Sequence, residues 1–180
     1  YADSIKGLTR FNRDTGASRI YQLTLDTPLP SKDVILKVSE NKQQIIDFIV
    51  NDLTVNAILM LTHKLTVTGR NPVPVQIFNG NVHSCENLRT TQEEADTIII
   101  HHLVASAPVK AIVIADNTDV FVLLLHFTYT GDIQSEVYMQ PTDKDSSARV
   151  TDISATYQSH TSIIPNLLAA HGVSGCDTVC

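Results

Sequence analysis

At 180 residues with 43% hydrophobic content, the chain is long enough for one α/β core and too short for two comfortable domains. Its formal charge of −6 argues against a binder that grips nucleic acid through a broad basic stripe. No apolar run reaches membrane-span length and no apolar segment follows the polar opening YADSIKGLTR, so neither a membrane partner nor a signal peptide is expected.

Residues 1–40 read as a loop-rich segment with turn signals at Thr15-Gly16 and around Pro28 and Pro30, and with short extended pieces near 19–25 and 34–38. From Asn41 the pattern becomes helical, with Ile45, Phe48, Ile49 and Leu53 on one face. Residues 64–68 alternate as a strand that Gly69 ends. Two further strands, 75–78 and 82–84, flank a hairpin turn at Asn79-Gly80. Thr91 opens the clearest helix, which Pro108 stops near Ser106.

The apolar run 111–115 is β-branched at its centre and reads as a buried parallel strand. Asp119 then leads an apolar helix through Phe127, and 136–140 form a short strand. A last helical region covers roughly 150–171, interrupted near Pro165 and ending at Gly172. The alternation of helix and strand after residue 40 suggests a mostly parallel sheet covered on both faces, with the site beyond the carboxyl ends of its strands. The expected organisation is one incomplete domain, with 1–40 leading into an α/β core over 41–180. Tyr1 opens mid-pattern and Cys180 follows Asp177 abruptly, so both edges read as cut.

Three acidic motifs carry the functional reading. Glu94 and Asp96 stand at a helix start, Asp116, Asn117 and Asp119 follow the buried strand, and Asp177 lies in Gly175-Cys176-Asp177-Thr178. Carboxylates gathered from different elements repel one another, and a hard divalent cation such as Mg²⁺ is the natural reason to gather them. Each piece also has an ordinary explanation. Thr91 with Glu94 makes a capping box, while Asp116, Asp119 and Asp177 fit loop or helix-cap positions. His101 and His102 are adjacent rather than a turn apart, His171 reads as a helix-end residue, and Ser174 has no evident base. Cys85, Cys176 and Cys180 lack CxxC spacing, so zinc is not expected and an intracellular setting fits, with the nucleus as one option. Lys6, Arg10 and Arg13 belong to the basic cluster, which makes them the candidate nucleic-acid contacts.

The phrases QEEADTIIIHHL, KAIVIADNTDVFVLLLHF and LLAAHGVSGCDTV resemble a transposon-associated group of animal proteins with a PIN-like domain. That group is similar to the flap-endonuclease and XPG family. The resemblance also takes in SIKGLTR and LTVTGRNPVPVQIFNG. It implies a Rossmann-like three-layer sheet domain that binds two Mg²⁺ or Mn²⁺ ions and cleaves phosphodiester bonds in DNA or RNA. Glu94 and Asp96 would match the family's acidic pair, Asp119 its second post-strand carboxylate, and Asp177 its glycine-preceded Asp. Asn117 stands where the family has its first post-strand Asp, and the family's first core strand would lie upstream of Tyr1. With one charge replaced and another absent, little or no cleavage is expected from this chain. Two rivals remain open: a catalytically dead structural or interaction module, and a phosphoacceptor or small-ligand domain using Asp116 or Asp119.

Overall fold

The computed structural model describes residues 19–24, 26–57, 62–92, 94–142 and 150–174. The chain divides into two compact units, Tyr1–Cys85 and Glu86–Cys180. Among the described residues the class is α/β, with six α-helices and two three-stranded sheets, one in each unit.

In the first unit α1 (Lys32–Ile35) and α2 (Ser39–Val55) precede an antiparallel sheet of β1 (Leu65–Val67), β2 (Val75–Phe78) and β3 (Asn81–Ser84). Leu65 lies opposite Ile77, and Gln76 opposite His83. Asn79 and Gly80 both take positive φ, 50° and 72°, as a two-residue hairpin of right-handed twist requires. The extended piece expected near 34–38 is instead helical at its start. The Ser31 carbonyl accepts from Val34 and Ile35 N–H groups, which closes a turn there. Helix α2 forms as its periodicity suggests, but the expected apolar face is not the buried one: Ile49 is 53% exposed and Asn41 is 0% exposed.

Hydrogen bonding explains the inversion. Asn41 accepts from Tyr21 N–H at 2.9 Å and donates to the Arg19 carbonyl at 3.0 Å. One turn on, Gln44 accepts from Leu23 N–H at 3.0 Å and donates to the Tyr21 carbonyl at 2.8 Å. A side-chain amide offers the same donor and acceptor as a peptide. The helix therefore serves residues 19–23 as a strand partner would, and its amide face turns inward.

The second unit opens with a short 3₁₀ turn (Glu86–Leu88). It continues through α3 (Ala95–Ser106), β4 (Lys110–Ile114), α4 (Thr118–Thr130), β5 (Glu136–Gln140), β6 (Thr151–Asp152), α5 (Ile153–Ser159) and α6 (Ile164–Ser174). Its sheet order is β4–β5–β6, with β4 and β5 parallel and β6 antiparallel to β5. Helix α4 makes the crossover between the parallel strands, and its sequence TDVFVLLLHFTYT is apolar nearly all round, as suits a central helix. It packs against α3, α5 and α6. Ile100, Val113, Leu124, Val137, Ile153 and Ile164, one from each main element, meet in one buried cluster. Each such side chain contributes about 1.5–3 kcal/mol by leaving water.

Two expectations about the sheet need correction. Among the described strands only β4 and β5 pair in parallel, because the Asn79-Gly80 hairpin and the β5–β6 pairing are antiparallel. Nor is the β4 run buried on both sides, since Val113 faces the helices while Ile112 and Ile114 are 59% and 61% exposed. Val113 shares its buried cluster with residues of α3, α4, α5 and α6. Thr91, read as the cap in a capping box with Glu94, is not the N-cap of α3. Helix α3 starts at Ala95 with no side-chain bond at its cap, and Thr90 Oγ1 accepts from Gln92 N–H instead. In the last helical region the break falls at 160–163 and Pro165 sits within the first turn of α6, where its missing N–H costs nothing. That helix runs past Gly172 to Ser174.

Candidate functional site

Strand β4 delivers the chain to Ala115, whose N–H still bonds to the Gln140 carbonyl at 3.0 Å. Asp116 follows, and its carboxylate accepts from Thr142 N–H at 2.8 Å and from the Thr142 hydroxyl. These two bonds, the hydroxyl's first, hold the Asp116 carboxyl below its ordinary range. The side chain thus ties the loop after β5 to the loop after β4.

Asn117 is the N-cap of α4. Its Oδ1 accepts from Asp119 N–H at 2.8 Å, which satisfies one of the open donors at the helix start. That bond orients the amide, and Nδ2 donates to Asp96 Oδ2 at 2.7 Å. Asp96 lies in the first turn of α3, so one amide joins the N-terminal ends of two packed helices. Asp119, in the first turn of α4, is joined in turn to α6, its Oδ1 lying 2.6 Å from His171 Nε2. An ionised carboxylate only accepts, so Nε2–H is the donor. Both side chains are largely buried, at 18% and 19% exposed.

Three helices therefore contribute to one row, Asp96–Asn117–Asp119–His171. The structure brings together three of the sequence candidates. Glu94 occupies the N-cap position of α3, two residues before Asp96, where its carbonyl accepts from Thr97 and Ile98. Asp177, Lys6, Arg10 and Arg13 lie outside the described residues. His171, read from the sequence as a helix-end residue, does lie in the last turn of α6, but its pairing with Asp119 was not among the expected site contacts.

Mg²⁺ and Mn²⁺ require several oxygen donors directed at one point. Among the described residues no group of three or more His, Cys, Asp or Glu side chains is placed to hold a metal ion. The row also turns an amide N–H, a donor, toward Asp96. The described donor set does not fit a divalent cation. In the first unit a groove lined by Val50, Thr54, Val67, Arg70 and Val73 contains none of the candidate acids. No helix among the described residues is long and apolar enough to cross a membrane. No family model matches the chain, and neither a curated protein nor a solved structure matches it.

Proposed function

We propose that the second unit is a PIN-like, nuclease-type domain of the flap-endonuclease kind, whose carboxylate site keeps its position but is closed by hydrogen bonds. On this reading the parent chemistry is metal-dependent phosphodiester cleavage in DNA or RNA, and this chain performs it weakly or not at all. The observation that supports the reading is the joining of two separate acidic motifs by the amide of Asn117, which meets the Asp96 carboxylate at one end and the Asp119 backbone N–H at the other. The location agrees with it, because both helix starts adjoin the carboxyl end of a parallel strand, where α/β domains place their sites. The Rossmann-like three-layer fold belongs to the same proposal, with the parallel β4–α4–β5 crossover as its described part.

A second reading, a catalytically silent structural or interaction module, is favoured by the identity of residue 117. An amide brings no charge to stabilise a transition state, and its N–H already serves Asp96. One assay separates the two: Mn²⁺-dependent cleavage of flap and single-stranded DNA by the wild-type chain and by Asn117→Asp. The nuclease-type reading predicts background cleavage from wild type and a rise of about tenfold or more in the variant. Background cleavage from both chains leaves the silent module in possession.

A further inference from the structure

We infer that Asn117 takes the place of a cation beside Asp96, so that the Asp96 carboxylate is held at the start of α4 without a divalent metal. The inference rests on reading these residues as the carboxylate site of the proposed domain, and it concerns what keeps that site assembled.

Donors and acceptors alternate along the row. Asp96 presents an acceptor, and Asn117 Nδ2 meets it at 2.7 Å. The other end of the same amide, Oδ1, meets the N–H of Asp119 at 2.8 Å. The Asp119 carboxylate then meets His171 Nε2 at 2.6 Å. The Asn117–Asp96 contact falls in the range of charge-assisted hydrogen bonds, and the His171–Asp119 contact is shorter still. The amide cannot turn over without facing an N–H toward the N–H of Asp119, so its orientation is enforced. Mutual repulsion between carboxylates is the physical reason for gathering a cation; here Asn117 Nδ2 meets the Asp96 carboxylate and His171 Nε2 meets the Asp119 carboxylate.

Aspartate at position 117 would reverse this. It caps a helix as well as asparagine does, so the bond to Asp119 N–H is retained. The atom turned toward Asp96 would then be a carboxylate oxygen, placing an acceptor against an acceptor and a negative charge against a negative charge. A cation or a trapped proton relieves that contact. A single substitution thereby converts a row closed by its own hydrogen bonds into one that needs a metal.

The test is thermal unfolding of the full chain in EDTA and in excess Mn²⁺, together with calorimetric titration of Mn²⁺ into wild type and Asp96→Asn. The expected wild-type melting temperature is the same in both buffers, with no heat of binding that depends on Asp96. Asn117→Asp is expected to melt roughly 2–4 °C lower than wild type in EDTA and to recover in Mn²⁺. Stabilisation of wild type by Mn²⁺, or a binding heat lost in Asp96→Asn, overturns the inference. So does an Asn117→Asp chain that melts like wild type in both buffers. Should Asn117→Asp fail to fold in either buffer, the wild-type titration alone decides, with the same two outcomes. Mn²⁺-dependent stability in Asn117→Asp without cleavage counts against the nuclease-type reading alone. Metal binding by wild type counts against the present inference.

Discussion

Two asparagines anchor the two units, and they do different work. Asn41 is fully buried and, among the described residues, bonds to backbone, accepting from Tyr21 and donating to the Arg19 carbonyl. Asn117 is exposed and meets a charge, capping α4 with one end and serving the Asp96 carboxylate with the other. A buried amide whose partners are all peptide groups is a structural tie, since it completes hydrogen bonds that burial would otherwise strand. An amide that caps one helix and meets a carboxylate at the start of another is placed where an anionic substrate or a cation would ordinarily be handled. The surroundings, not the residue type, separate the tie from the candidate site.

That contrast is open to direct attack. Asn41→Ala should cost about 1–3 kcal/mol in urea unfolding, because Tyr21 N–H and the Arg19 carbonyl lose their partner inside the first unit. Asn117→Ala should cost less, about 1 kcal/mol, the usual loss for a helix cap open to solvent. Equal losses would erase the distinction. The smallest effect concerns acid. Burial, and after it the neighbouring His101, holds the His102 imidazole below its ordinary value of 6.5. The unfolded chain therefore takes up that proton first, and stability present above 6.5 should decline as pH falls below it. Melting curves across that range should show the decline in wild type and a flatter profile in His102→Gln. The buried, unpartnered Nε2 of His102 among the described residues fits the same environment.

Much of the second unit was legible because its signals are local. Pro108 marks the end of α3, Gly131 closes α4 with a φ of 83°, and the apolar run before Asp116 announces β4. The hairpin at Asn79-Gly80 is equally local. What escaped the sequence depends on packing between distant segments. Asp119 meets His171 across 52 positions only because α6 lies along α4, and Asp116 meets Thr142 across 26 because β4 and β5 are neighbours. The inward face of α2 was misread for a related reason. Hydrophobic periodicity cannot anticipate that two amides one turn apart will serve a passing backbone as a strand would. The capping box shows a different failure. Thr91 and Glu94 have the right spacing, but the helix begins one residue beyond Glu94, so Thr91 is not its cap.

The candidate site was legible in part. Asp96, Asn117 and Asp119 were singled out by their motifs and do meet, whereas the role of residue 117 depends on which way its amide points. A charge count reports only that a carboxylate is missing there. The geometry adds that a donor has replaced it.

Crystals of wild type and of Asn117→Asp, soaked with Mn²⁺ and measured at the manganese edge, address that replacement most directly. The account predicts no anomalous peak beside Asp96 and Asp119 in wild type, with Asn117 Nδ2 still bonded to Asp96, and a peak there in the variant. A manganese ion ligated by Asp96 and Asp119 in the wild-type crystal would contradict it.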